Sequence, residues 1–570
     1  MIYQQGESVY QEPAWTPGAK TIADARVTKF CQWLARERGL EFDGYEALWR
    51  WSVDDLEGFW GAHWDYFRLP GRYDRVLADA RMPGAKWFPG MHLNYVDQVF
   101  RHVDAARPAI VADNEAGRHR EMSWAELRRQ VAALAGSLRA MGVVPGDRVV
   151  AFLPNIPETM VAFLAVASVG AIWSACSPDM GPVAVLDRFR QIQPKVMLAV
   201  DGYRYGGRNY DRRDMVAKLL QELDCVEQLI LLADLDPAAD FGRFPKARPW
   251  AELTSGDAAL VTEATPFDHP LWVVYSSGTT GLPKPIVHSH GGIVLEHLKV
   301  STFHLDIGPE DRFHWYSTTG WIMWNCQIGG LLVGATACIY DGNPGWPDWN
   351  TLWRFVADNK VSFFGAGAAF YASCLKAGIR PKDSFDLSHL RAVGSTGSPL
   401  SPEDHQWIYD NVSADVWVDP ISGGTIIYGR SDATINRFGI RMGTSELYRA
   451  VEDLPEILDS LVVDLEYLGR ESYMPLFVVL REGHALSPEL KAKMVERIKV
   501  ALSARHAPND IFAVKEIPRT LSGKKLELPI KKLLLGQPLE KILNRDAMAN
   551  PASLDWFIDF ARSHASSTKS

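Results

Sequence analysis

A chain of 570 residues is longer than one hydrophobic core can serve; at about 150 residues per packing unit it predicts three or four such units. Hydrophobic residues at 47% and charged residues at 23% exclude disorder over most of the length. A net charge of −9, without any long block of Lys or Arg, excludes the clustered basic face that a nucleic-acid partner requires.

In chain order, the first 14 residues are polar and lack the apolar centre of a signal peptide. Residues 1–100 carry Trp15, Trp33, Trp49, Trp51, Trp60, Trp64 and Trp87, which predicts an aromatic extension packed on a larger body without a core of its own. Over residues 123–141 an amphipathic helix is expected. Ser123 and Glu126 have capping-box spacing, and Leu127, Val131, Leu134 and Leu138 fall on one face. Gly142 ends it, and a Pro145-Gly146-Asp147 turn leads into a buried strand at 149–153. The longest uncharged apolar run, Met160 to Cys176, approaches the length of a membrane span, but Gly170 divides it into a buried helix and a buried strand. Further apolar strands at 227–232, 272–275 and 336–340 alternate with helical stretches, the rhythm of parallel α/β sheets. From about residue 432 the texture changes to two strand-like runs, a charged helix at 487–504 and a strand near 511–515, a small α+β unit. The six cysteines include no Cys-x-x-Cys pair and lie among apolar residues, as reduced core cysteines do. A soluble, cytoplasmic protein with no membrane segment is expected.

The sharpest chemical signal is Tyr275-Ser276-Ser277-Gly278-Thr279-Thr280-Gly281-Leu282-Pro283-Lys284, directly after an apolar strand. A glycine-rich loop leaving a strand can turn several backbone N–H groups onto one anion. Ser276, Ser277, Thr279 and Thr280 add hydroxyl donors, and Lys284 adds a point charge. The spacing is not that of a Walker A loop, in which Lys and Ser/Thr follow the second glycine directly.

The loop resembles the phosphate-binding signature of the adenylate-forming superfamily, and other segments agree in order. Gly142-Val-Val-Pro-Gly-Asp-Arg148 and Leu153-Pro-Asn-Ile-Pro-Glu158 resemble the superfamily's early strand and turn. Gly397-Ser398-Pro399 resembles the segment lining the adenine, Gly429-Arg430-Ser431-Asp432 the hinge, and Thr520-Leu-Ser-Gly-Lys524 the late lysine motif. Within the superfamily the likeness is strongest to the acetoacetyl-CoA synthetases, on Leu48-Trp-Arg-Trp-Ser-Val53, Trp87-Phe-Pro-Gly90, Thr319-Gly-Trp-Ile-Met-Trp-Asn325 and Ser395-Thr-Gly-Ser-Pro-Leu400.

The resemblance implies an extension over 1–100, an AMP-binding domain over 101–428 and a mobile C-terminal lid over 429–570. It implies ATP, Mg²⁺ and coenzyme A as reactants, small-molecule substrates with no nucleic acid or membrane partner, and ligation of acetoacetate to CoA through an acyl-adenylate. Ser276–Gly281 and Lys284 would hold phosphates, with Gly397, Ser398, Pro399, Thr425 and Arg430 on the rest of the nucleotide. Lys524 and Arg441 would act at the reacting phosphate, Asp432 would be the hinge, and Trp321, Met323, Gly365 and Ala366 would line the acyl pocket. Two other readings stand beside this one: a ligase for acetate or propionate, and a non-catalytic remnant that binds nucleotide or CoA.

The sequence departs from the family at one place. After Thr425 the family continues with an acidic Mg²⁺ ligand and a β-rich subdomain with a ribose-binding Asp; here Ile426 follows and the chain runs into the hinge motif within a few residues. A hard cation prefers carboxylate oxygen, which Ile426 cannot offer. The expectation is that this subdomain is missing, that a sheet is left with apolar surface uncovered, and that adenylation is weak or absent.

Overall fold

The structure, a computed structural model, describes residues 15–103, 106–245, 247–276, 283–396, 400, 402–420, 435–437, 440–442, 444–465, 473–519, 525–542, 545, 548 and 550–567. Two seven-stranded sheets form the body. Across the first, the spatial order is Ala247–Pro249, Gln228–Leu232, Val196–Val200, Arg148–Phe152, Ile172–Cys176, Pro270–Ser276 and Lys284–Ser289. Across the second it is Trp417–Pro420, Ala392–Thr396, Phe363–Gly367, Arg312–Trp315, Thr336–Asp341, Pro108–Asn114 and His119–Ser123. Neighbours are parallel except at one edge of each sheet, where Pro270–Ser276 meets Lys284–Ser289 and Pro108–Asn114 meets His119–Ser123 antiparallel. The α/β architecture with parallel sheets agrees with the sequence expectation; the antiparallel edges make both sheets mixed.

Local sequence accounts for the elements. Ser123 caps the helix Trp124–Ala140, its Oγ accepting from the Glu126 N–H at 3.1 Å, a contact worth about 1 kcal/mol. The reciprocal half of the capping box does not form: the Glu126 carboxylate pairs with Arg129 at 2.8 Å, a charge-assisted partner that outcompetes a backbone amide. Leu127, Val131, Leu134 and Leu138 are fully buried, and Gly142 takes a φ of +78° just past the end. The apolar run divides as expected into the buried helix Pro157–Ser168 and the strand Ile172–Cys176, with Gly170 at φ +75° between them. No helix among the described residues is long and apolar enough to cross a membrane.

Three helices near the N-terminus, Arg26–Arg38, Gly44–Asp54 and Leu56–Tyr66, gather Phe30, Leu34, Leu48, Phe59 and Ala62 into a small core of their own. That corrects the expectation of a coreless extension; aromatic side chains bury enough area for even a short segment to close a cluster. Phe303 of the body inserts against Phe30 at 4.6 Å, and Trp64 stacks on Phe88 at 4.5 Å within the main core. None of the six cysteines forms a disulfide, but Cys225 is exposed rather than part of a core.

Near the C-terminus, Ile457–Val462, Pro475–Leu480 and Asp510–Ala513 form a three-stranded sheet flanked by the helices Thr444–Glu452 and Pro488–Ala501. Its core includes Leu447, Val451, Met474, Leu476 and Met494.

Candidate active site

In parallel α/β sheets, ligands bind beyond the carboxyl ends of the strands, where the chain's direction of travel across the sheet reverses. The strand Arg148–Phe152 is such a point, since its successors Ile172–Cys176 and Val196–Val200 lie on opposite sides of it. Asn155, just beyond its end, is buried and accepts from the Trp324 indole N–H at 3.1 Å. The Thr319 hydroxyl donates to the Leu153 carbonyl at 2.8 Å. Trp324 stacks on Trp173 with centroids 6.2 Å apart.

The second sheet delivers its own carboxyl ends to this place. Residue 316 follows the strand Arg312–Trp315; the Tyr316 N–H donates to the Gly365 carbonyl and its hydroxyl to the Gly342 carbonyl, both at 2.8 Å. The chain then crosses to Thr319 and Trp324, which bond Leu153 and Asn155 just beyond a strand of the first sheet, so 316–325 links the two sheets at the switch point. Trp321 sits in the middle of that bridge, half-buried, and starts the helix Ile322–Gly329.

Of the predicted pocket residues, Trp321 and Met323 therefore lie on this bridge, with Met323 buried in the main core. Gly365 and Ala366 lie on the strand Phe363–Gly367. A Cβ on Gly365 would stand 2.1 Å from the Trp315 ring, and one on Gly394, its register partner, 2.6 Å from it. These two glycines make the bed for Trp315. Ala366 belongs to the buried cluster around Trp353 and Phe364.

The predicted phosphate loop is the connection of an antiparallel hairpin whose last paired residues are Ser276 and Lys284. Lys284 is exposed. Both stems are tied to the helix Pro182–Ile192: the Tyr275 hydroxyl donates to the Arg188 carbonyl at 2.7 Å, and the Gln191 amide donates to the Pro283 carbonyl at 2.8 Å. Burial pushes the Tyr275 phenol well above its ordinary pKa, so it stays a donor. Ser277, Gly278, Thr279, Thr280, Gly281, Gly397, Ser398, Pro399, Thr425, Ile426, Arg430, Asp432 and Lys524 lie outside the described residues. Three of their segments nonetheless follow the carboxyl ends of the strands Pro270–Ser276, Ala392–Thr396 and Trp417–Pro420. Arg441 lies on the short strand Ile440–Met442, opposite Asn436.

Sequence reasoning missed the acidic group beside this region. Asp341 ends the strand Thr336–Asp341, and burial, aided by the charge of Asp234, pushes its pKa up to about 8. Glu115 is buried and accepts the N–H groups of Gly206 and Gly207 at 2.8 and 2.9 Å. Those glycines, at φ +60° and +76°, turn the hairpin formed by Gly202–Tyr205 and Arg208–Asp211. Neither acid lies in a motif; only the folded chain brings Glu115 to a turn 91 residues away.

The AMP-binding enzyme family model matches residues 98–424, more than half of the chain, and the model of the acetyl-coenzyme A synthetase N-terminus matches residues 45–99. An acetoacetyl-coenzyme A synthetase of Rhizobium meliloti is 34% identical, with 96% of this chain and 98% of that protein covered. The acetoacetyl-CoA synthetase of Gallus gallus is 30% identical, covering 97% of this chain and 98% of its own. The solved acetoacetyl-CoA synthetase from Streptomyces lividans superposes with a TM-score of 0.72 at 40% identity, over 97% of this chain and 100% of that one.

Proposed function

Because this chain belongs to the AMP-binding enzymes and, among them, to the acetoacetyl-CoA synthetase family, we infer that it joins acetoacetate to coenzyme A at the expense of ATP. The carboxylate of acetoacetate attacks the α-phosphate, the bond to pyrophosphate breaks, and a mixed anhydride with AMP forms. The thiol of CoA then attacks the acyl carbon, loses its proton, and expels AMP. The first step brings two anions together, so the protein's task is to neutralise charge and fix geometry.

In this reading the loop between Ser276 and Lys284 receives the β- and γ-phosphates, and Gly397, Ser398, Pro399, Thr425 and Arg430 contact the remainder of the nucleotide. Lys524 and Arg441 face the reacting phosphate from the C-terminal lid, which turns at Asp432. Trp321 and Met323 bound the acyl site and keep it short. What supports the assignment is the AMP-binding match over residues 98–424, with three of the proposed nucleotide segments following directly on the strands Pro270–Ser276, Ala392–Thr396 and Trp417–Pro420. Mg²⁺ would ride on the ATP phosphates; Ile426 offers it no ligand, and no carboxylate of this chain is assigned to it.

We further propose that the segment between Thr425 and the hinge is shortened. The AMP-binding match ends at residue 424. The alignment with the Rhizobium meliloti protein runs over 645 positions against the 570 residues here, which leaves at least 75 of its positions without a counterpart. Ile286 and Val287, on the edge strand Lys284–Ser289, are 42% and 55% exposed, as an uncovered sheet edge would be. The two proposals are separated by ATP–pyrophosphate exchange. Acetoacetate-dependent exchange is expected, weakened at least about tenfold, or roughly 1.4 kcal/mol, relative to the Rhizobium meliloti protein. Exchange absent even at high enzyme concentration removes the ligase reading; exchange equal to the relative's removes the shortening.

A further inference from the structure

The helix Pro182–Ile192 touches two parts of the molecule that the reaction must keep in register. Its last turn holds both stems of the phosphate loop through Arg188 and Gln191. Its first residue meets the C-terminal unit: the N–H of Gly181, its N-cap, donates to the carbonyl of Leu502, the C-cap of the helix Pro488–Ala501, at 2.6 Å. The positive start of one helix thus lies against the negative end of another, and each supplies the hydrogen bond the other lacks. Ala184 is buried in the core cluster of the C-terminal unit. The approach leaves no space for a side chain, since a Cβ on Gly181 would lie 2.5 Å from the carbonyl oxygens of Val500 and Ala501.

A second contact lies one turn further along. The Ser503 hydroxyl accepts the Arg505 N–H at 3.3 Å and pairs with His506 Nδ1 at 2.8 Å, which fixes the short turn Ala504–His506. From that turn the Arg505 guanidinium stacks over the Tyr205 ring at 4.2 Å, among the charges and dipoles of Asp179, Tyr203 and Tyr316. Tyr205 is held from behind: Glu115 clamps the turn of its hairpin, and Gly207 packs on Trp346.

We propose that Gly181 and Arg505 are positioning residues that seat the C-terminal unit on the helix Pro182–Ile192 and the hairpin Gly202–Asp211, and so set it relative to the phosphate loop. Neither is assigned contact with substrate. The consequence for catalysis rests on Lys524 acting from that unit; the seating itself does not.

Hydrogen exchange of the substrate-free protein tests the seating independently of any activity. Gly181→Ala is informative because φ −73° and ψ 160° suit alanine, so only the opposing carbonyls resist it. It is expected to raise amide exchange about tenfold in the first turn of Pro182–Ile192 and the last turn of Pro488–Ala501, with little change in the strands of either sheet. Arg505→Ala and Tyr205→Ala are expected to do the same, and their double variant no more than either alone. Tyr205→Phe, which keeps the ring, should behave as the parent; Arg505→Lys, which keeps the charge but not the plane, should not. Unchanged exchange at both turns in Gly181→Ala and Arg505→Ala overturns the proposal, as do additive effects at 205 and 505 or full rescue by lysine.

Discussion

Asp341 illustrates how one carboxyl group couples the fold to proton concentration. Its ordinary pKa of 3.8 is pushed up to about 8 by burial and the nearby charge of Asp234. The folded state therefore keeps a proton that the unfolded chain gives up above pH 4, and this group's contribution to stability falls as pH rises from about 4 to 8. Asp341→Asn is expected to stabilise the protein at pH 8 by at least about 1 kcal/mol, with the gain vanishing below pH 4. Denaturant titrations of both proteins at the two pH values check the sign; a gain that grows toward acid would contradict it. Gly365 is a purely steric case. Gly365→Ala forces the Trp315 ring from its bed and should cost about 1–3 kcal/mol, read as a lower denaturant midpoint with unchanged slope. The small residue at 365 was visible in the sequence, but its reason was not, because the tryptophan it accommodates lies on a different strand. Asn155 was visible only as part of a motif; its pairing with Trp324 across 169 residues needs the fold.

At the scale of elements, the sequence was most legible where a segment's pattern is self-contained. The capped helix Trp124–Ala140, the divided apolar run and the apolar strand before the glycine-rich loop follow from local periodicity, caps and turn residues, whereas the antiparallel strand after that loop was not foreseen. What local pattern cannot reveal is partnership. Nothing near residues 108–114 announces that they pair with 336–341, and nothing near Tyr205 announces an arginine 300 positions on. Both stems of the loop are anchored on the helix Pro182–Ile192, so loss of the Lys284 charge should weaken nucleotide binding without disturbing the paired strands. Lys284→Ala is expected to raise the KM for ATP in the exchange assay about tenfold or more, the worth of a charge-assisted hydrogen bond of roughly 1.5–3 kcal/mol. An unchanged KM would remove Lys284 from the phosphate site.

For the whole molecule, the two sheets and the C-terminal unit converge around the helix Pro182–Ile192 and the bridge 316–325. A ligand bound there should stabilise the native chain by mass action. ATP at one hundred times its dissociation constant is expected to add about 2.7 kcal/mol, visible as a rise in the thermal midpoint. Nucleotide-independent melting would argue against an assembled site. On the proposed shortening, transplanting the Rhizobium meliloti segment between Thr425 and Ile426 should raise exchange and reduce association through the edge strand Lys284–Ser289; failure on both counts would contradict that proposal.

The second sheet also imposes a timetable on synthesis. Pro108 and Thr336, joined by a hydrogen bond across 228 residues, leave the ribosome far apart in time. At about 5–20 residues per second the early strand waits on the order of 10–50 s for its permanent neighbour. The first sheet is contiguous between residues 148 and 289 and can close during that interval. Nascent chains stalled before residue 336 should therefore hold a formed first sheet and an open strand Pro108–Asn114, a natural client for chaperones.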